Sequence, residues 1–278
     1  MANPPDAPYA APPRPSRLGV THLARMASSG EKIAMLTAYD ASFATLCDRA
    51  GVDVLLVGDS LGMVVQGHPT TLPVSLEDTL YHTRCVVAGS SRPLVIADLP
   101  FGTFQGARDD AYRAGVAALK SGAQMVKIEG GEFIAPTVEY LATRGVPVCG
   151  HVGLTPQSVN VLGGFRVQGR TDGDAQRIVA DTKRLCDAGA AMIVVECVPR
   201  ALGAQVTRSA TVPVIGIGAG PDCSGQVLVI YDAIGAQPGK STRFVRNFLP
   251  GHDSLEAALR AYVLAVKDGS FPAPEHCF

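Results

Sequence analysis

The chain has 278 residues, 47% of them hydrophobic, and a formal net charge of −1 at pH 7. That much apolar material supports a substantial core, and a near-neutral balance leaves no positive surplus to draw phosphate backbones or anionic lipid. Nucleic-acid and membrane-surface partners are therefore not expected, nor is a bilayer span, since no run of about 18 apolar residues occurs.

Residues 1–17 carry Pro4, Pro5, Pro8, Pro12, Pro13 and Pro15 and lack the apolar core of a signal peptide. Such a segment cannot bury enough surface to offset ordering entropy and reads as a mobile tail. From residue 18 to 278 short β-branched runs recur at 33–37, 52–57, 94–97, 125–128, 146–149, 192–195, 212–217 and 227–230. Most end in glycine or a charged residue, as buried parallel strands do. Amphipathic stretches fill most intervals. Those at 42–50, 109–121 and 175–188 stop at Gly51, Gly122 and Gly189, and a last one opens between Asp253 and Glu256, spaced like a capping box, and closes at Gly269. Eight such strands in one domain predict a closed (β/α)8 barrel, a TIM barrel; an open doubly wound sheet is the alternative, because 218–226 is too short for a full crossover helix. Seven scattered cysteines without a CxxC read as free thiols in a reducing compartment, hence a cytoplasmic location.

Function in a barrel gathers at the carboxyl ends of the strands. Here those ends carry Asp59 followed by Ser60, then Asp98, then Lys127 and Glu129, then Glu196. Residues two apart share a strand face, so Lys127 and Glu129 point together, toward the axis if Val126 and Ile128 face the helices. Buried carboxylates cost several kcal/mol, roughly, unless a cation matches them. Asp59, Asp98 and Glu129 offer only oxygen, which suits Mg²⁺. The alternative is that each acid caps the helix after it. His151 falls just past the fifth strand, with a substrate-facing and a structural role both open. Residues 62–73, with Gln66, His68 and Thr70, read as a lid loop; Tyr39 and Asp40, after the first strand, as site members or, preferably, a helix cap; Gly216, Gly218 and Gly220 as tight barrel geometry rather than a phosphate loop.

The segments Leu-Thr-Ala-Tyr-Asp at 36–40, Val-Gly-Asp-Ser-Leu-Gly at 57–62, Ala-Asp-Leu-Pro-Phe at 97–101, Met-Val-Lys-Ile-Glu-Gly-Gly at 125–131, Gly-His-Val-Gly-Leu-Thr-Pro-Gln at 150–157 and Glu-Cys-Val-Pro at 196–199 resemble the ketopantoate hydroxymethyltransferase family. The likeness runs from about Leu23 to Phe278. It implies a (β/α)8 barrel with Mg²⁺ that transfers a hydroxymethyl group from 5,10-methylenetetrahydrofolate to 3-methyl-2-oxobutanoate through an enolate, giving 2-dehydropantoate for pantothenate and coenzyme A synthesis. It further implies Asp59, Asp98 and Glu129 at the metal, Asp59, Ser60, Asp98 and Lys127 at the oxo acid, Glu196 as proton acceptor, and a homodecamer. Two other readings stay open: a lyase of the isocitrate lyase and phosphonomutase type, against which stands the lack of a Cys-Gly-His-like loop, and a non-catalytic barrel.

Overall fold

A computed structural model describes residues 17–237 and 242–278. The tail expected over residues 1–17 lies outside them except for Arg17. That residue belongs to the folded domain: its guanidinium donates to the Pro93 carbonyl at 2.7 Å, and the next amide, Leu18 N–H, donates to the Arg92 carbonyl.

Eight parallel strands close in sequence order: β1 Ile33–Thr37, β2 Val54–Val57, β3 Leu94–Asp98, β4 Met125–Glu129, β5 Val148–Gly153, β6 Met192–Glu196, β7 Val214–Ile217 and β8 Gly225–Leu228. The open-sheet alternative falls because β8 pairs with β1, Met35 opposite Val227. The short 218–224 connection, which has no helix, still delivers β8 to that seam. Closure depends on Gly225, where a Cβ would collide with the Ile33 carbonyl.

Strand alternation sorts the core. Ile33, Met35, Val54, Leu56, Leu94, Ile96, Met125, Cys149, Met192, Val194, Ile215, Ile217 and Val227 fill the barrel interior, and Leu23 of the helix Val20–Ser28 packs with them. Their neighbours, such as Leu36, Leu55, Val126 and Ile193, pack outward against the helices. Val126 and Ile128 thus face helices and Lys127 and Glu129 face the axis, as the period of two requires.

Helices Ala41–Ala50, Arg108–Lys120 and Asp172–Asp187 occupy the expected intervals, with positive φ at Gly51, Gly122 and Gly189 ending each run. Asp40 caps the first of them by accepting from Phe43 N–H at 2.9 Å. The last helix, Leu255–Lys267, is capped by Ser254 rather than by the acids either side of it: the Ser254 hydroxyl accepts from Ala257 N–H. It covers the β1–β8 seam, where the buried Tyr262 hydroxyl lies 2.8 and 2.9 Å from the Met35 and Gln226 carbonyls.

Two strand limits differ in ways that matter. β8 stops at Leu228, because Ile230 N–H turns to the Thr37 hydroxyl and opens a one-turn helix, Ile230–Ala233. β5 runs on to Gly153, past the apolar residues that mark its start, since the following ones serve the mouth rather than the core. His151 is therefore inside a strand, not beyond one. No helix among the described residues is long and apolar enough to cross a membrane. All seven cysteines are free, five of them buried.

Candidate active site

At the carboxyl end of the barrel the polar residues of β2 to β6 meet around a cavity of about 420 Å³ that includes Asp59, Ser60, Asp98, Lys127, Glu129, His151 and Glu196 in its wall. Every residue singled out for the site from the sequence lies there. None of the four carboxylates caps a helix among the described residues.

Lys127 is the hub. Its Nζ lies 2.8 Å from Asp98 Oδ1 and 3.3 Å from Glu129 Oε1, with all three side chains almost completely buried. Burial pulls the ammonium pKa down, but Asp98, Glu129 and Asp59 outweigh it and hold the Lys127 pKa above its ordinary value. Lys127 is thus a fixed positive charge and not a base. Burial also acts to raise the Glu129 carboxyl, yet Lys127, His151 and the Gln157 N–H draw it down to about 2. Asp59 moves the other way: burial and then repulsion by Asp98 and Glu129 push it well above the carboxylate range, and Asp98 is raised too, by burial first.

Two residues that were undecided or unnoticed complete the network. His151 Nδ1 is 3.2 Å from Glu129 Oε1, and its Nε2 is 3.2 Å from Glu196 Oε2. Burial and the Lys127 ammonium push this imidazole down. The carboxylates on its two nitrogens outweigh them and carry it up to about 9. His151 is therefore a cation at neutral pH that bridges Glu129 to Glu196. Gln157, wholly unflagged in the sequence, donates its backbone N–H to Glu129 Oε2 at 2.9 Å and its amide to Asp59 Oδ2 at 3.1 Å. A single glutamine in a loop gives no periodic signal, and only the segment at 150–157 could have pointed to it.

Ser60 is also fixed by an unexpected partner. Asp40 is the helix cap, but Tyr39 is buried beside the site and its hydroxyl lies 2.9 Å from Ser60 Oγ. The lid expectation is corrected in part: Met63, Val64 and Thr71 line the cavity, whereas Gln66 and His68 are exposed and do not. Gly216, Gly218 and Gly220 serve packing, since a Cβ would press on Cys223, on the Phe244 and Phe278 rings, and on Arg200 respectively.

Glu196 is aimed by strained backbone. The next residue, Cys197, has φ 47°, and across the ladder Gly153, at φ 88°, lies so close that a Cβ would collide with the Glu196 carbonyl. A non-glycine residue in that region costs about 1–3 kcal/mol and persists where surroundings impose it. Its carboxylate is the most accessible of the four, 15% exposed against 1–4% for the buried Lys127–Asp98 pair. Replacing His151 with alanine is expected to leave Glu196 without its orienting partner and lower Glu196-dependent turnover by about 10- to 100-fold, as loss of a supporting shell does. Kinetics with a circular-dichroism check of folding will test this; turnover within twofold of wild type would count against the bridge.

The donor set was compared with the needs of a hard cation. Among the described residues no three His, Cys, Asp or Glu side chains form a ready metal cage. Glu129 has both oxygens engaged, by Lys127 and His151 on one and Gln157 on the other. Asp59 and Asp98 are joined through Asp59 N–H donating to Asp98 Oδ2 at 3.1 Å. Mg²⁺ is commonly held by only one or two carboxylates and keeps water or substrate in its other positions. The burial and carboxylate repulsion that raise the Asp59 and Asp98 carboxyls are what a divalent ion between them would offset. Asp59 has Oδ2 engaged by Gln157, and Asp98 meets Lys127 through Oδ1 and the Asp59 N–H through Oδ2, so a divalent ion fits on Asp59 and, sharing it with Lys127, on Asp98.

Comparison with known proteins bears on the fold and the family. The fold resembles that of a phosphonopyruvate hydrolase crystallised with oxalate and Mg²⁺, with TM-score 0.59, 17% identity, and 79% and 84% of the two chains covered. It also resembles a 2,3-dimethylmalate lyase of the PEP mutase/isocitrate lyase superfamily, with TM-score 0.54, 17% identity, and 78% and 82% covered. At that identity the likeness speaks for the barrel alone. Sequence relatives are far nearer. A 3-methyl-2-oxobutanoate hydroxymethyltransferase of Azoarcus sp. is 60% identical over 92% of this chain and 95% of its own length, and one of Thiobacillus denitrificans is 59% identical over 92% and 97%. The model of the ketopantoate hydroxymethyltransferase family matches residues 17–274. With its barrel and its acidic mouth, the chain belongs to the ketopantoate hydroxymethyltransferase family.

Proposed function

We propose that the chain transfers a hydroxymethyl group from 5,10-methylenetetrahydrofolate to 3-methyl-2-oxobutanoate, with water, yielding 2-dehydropantoate and tetrahydrofolate, a step toward pantothenate and coenzyme A in the cytoplasm. The observation that carries it is a division of labour: Glu196, on β6, stands apart from Lys127 and open to the cavity, while Asp59, Asp98 and Glu129 are tied up below it.

Mg²⁺ bound at Asp59 and Asp98, with Glu129 in the same cluster, would supply positive charge where the oxo acid gains negative charge. Lys127, permanently charged, binds the oxo-acid oxygens, and Ser60, braced by Tyr39, donates a further hydrogen bond. Glu196 then takes the proton from C3, a role that falls to it as the carboxylate of the charged end most open to the cavity, with only His151 against it. His151 holds Glu196 in place through Nε2 and passes the constraint back to Glu129. Water adds to the methylene carbon of the folate and both of its C–N bonds break, the two folate nitrogens taking the two protons of the water. The nucleophilic C3 carbon attacks the formaldehyde-level carbon so released, and the new alkoxide takes back the proton held by Glu196.

The isocitrate lyase and phosphonomutase reading is left with the fold alone, and a non-catalytic barrel gives no reason for a buried charged network open to a cavity. The test is deuterium exchange at C3 of 3-methyl-2-oxobutanoate, followed by proton NMR. Exchange is expected with Mg²⁺ in the absence of folate and hydroxymethyl product only when the folate is added. Absence of Mg²⁺-dependent exchange in the intact protein would refute the reading.

A further inference from the structure

The cavity has two unlike ends. The charged groups described above occupy the side built by β2 to β6. The other side is built after β7 and β8 and from the chain's last residues, and is walled by Ile217, Val229, Phe244 and Phe278, with Phe165 from the loop after β5. Phe244 and Phe278 meet edge to face, centroids 6.4 Å apart, over Gly218, where a Cβ would lie 3.1 Å from each ring. A cavity near 420 Å³ holds a drug-sized ligand. A five-carbon oxo acid fills only the charged end.

Within the apolar wall sits one carboxylate that the chemistry above leaves unused. Asp232 lies on the one-turn helix Ile230–Ala233, is 9% exposed, and lines the cavity. Its Oδ1 is buried with no hydrogen-bond partner. Nearly all buried polar atoms in native proteins are paired, so a cavity-lining carboxylate with one oxygen occluded and unpaired among the described residues is suited to a ligand that brings donors. Burial raises this carboxyl to about 6.

We propose that the aromatic end is the subsite for the pterin ring of the one-carbon donor and that Asp232 accepts hydrogen bonds from that ring's adjacent amino and N–H groups. This rests on the folate-dependent reading above. A reduced pterin is flat enough to lie against Phe244 and Phe278, and it presents two neighbouring donors that match the two oxygens of a carboxylate. The arrangement puts the one-carbon unit between Asp232 and Glu196. Asp232 thus fixes which one-carbon carrier is accepted, apart from the groups that act on the oxo acid.

The test uses the full-length protein with Mg²⁺ and measures tetrahydrofolate binding by calorimetry. Asp232→Ala is expected to weaken tetrahydrofolate by about tenfold or more, the usual cost of removing a buried partner, and to raise the folate KM far more than the KM for the oxo acid. A 2-deamino analogue of tetrahydrofolate should lose a similar factor on the wild type and nothing further on the variant. This arm keeps the proposal testable if the variant does not fold. Unchanged tetrahydrofolate affinity in Asp232→Ala, or wild-type affinity for the deamino analogue equal to that for the parent, would overturn it. Wild-type protein that exchanges the C3 proton and turns over while showing either result loses only this inference; wild type that never exchanges the proton loses the underlying reading.

Discussion

Glu196→Gln is expected to bind 3-methyl-2-oxobutanoate and Mg²⁺ as the wild type does, and to lose C3 proton exchange by about 10²- to 10⁴-fold, the range general-base catalysis supplies. Glutamine keeps the shape and can still meet His151 Nε2, now 3.2 Å from Glu196 Oε2, so the cavity should not collapse. What it cannot do is accept a proton. The three other carboxylates of the charged end are more deeply buried and engaged. Asp98 and Glu129 are pinned to Lys127, and Asp59 accepts from Gln157. His151 carries a proton already, at about 9, and so is no base at neutral pH. The strain at Cys197 has a purpose in this light, since it turns the end of β6 so that Glu196 reaches the cavity instead of the outer ring of helices. Calorimetric titration of the oxo acid beside NMR exchange separates binding from chemistry. Exchange at the wild-type rate would remove Glu196 from the base role.

Much of this was legible before any coordinates. Short β-branched apolar runs, most of them ending in glycine or a charged residue, located all eight strands, because a strand buried on both faces must be apolar nearly throughout. Acids at the ends of such runs marked the mouth, since a carboxylate there is too costly to be incidental. Strand limits were poorer wherever apolar character and extended conformation part company. β5 continues through Gly150 and His151, polar or featureless residues that the ladder nevertheless pairs with Ile193 and Val194. That single misplaced boundary is why His151 stayed undecided. Gln157 and Tyr39 escaped for another reason: each matters through a partner far away in sequence, Asp59 and Ser60, and spacing carries no trace of such pairs. Asp232 was hidden by the same shift at β8, where the predicted strand ran on over the start of its helix.

The metal-free protein should lose stability as pH rises above the ordinary aspartate value of about 4 and on through about 9, where His151 gives up its proton, and Mg²⁺ should restore it most at the alkaline end. The signs follow from the site. Asp59 and Asp98 have folded pKa values raised above their unfolded ones, by burial first. Such groups fold more favourably when protonated, and the penalty of ionising them inside the barrel grows as pH climbs through the raised values. His151 is raised to about 9 by Glu129 and Glu196 against burial; its contribution is complete below about 6.5, the ordinary histidine value, and is lost as pH passes 9. Glu129, lowered to about 2, matters only in acid. A divalent ion on Asp59 and Asp98 removes the carboxylate penalty, so the gain in Tm on adding Mg²⁺ should be larger at pH 8.5 than at pH 5.5, by roughly 2–4 °C for each kcal/mol relieved in a domain of this size. Asp98→Ala should abolish most of that gain, because it deletes one ligand and leaves Lys127 to pair with Glu129 alone; it should weaken oxo-acid binding in parallel. Thermal melts at the two pH values, with and without Mg²⁺, decide the matter: an equal Mg²⁺ gain at both, or an undiminished gain in Asp98→Ala, would place the ion elsewhere than on these two aspartates.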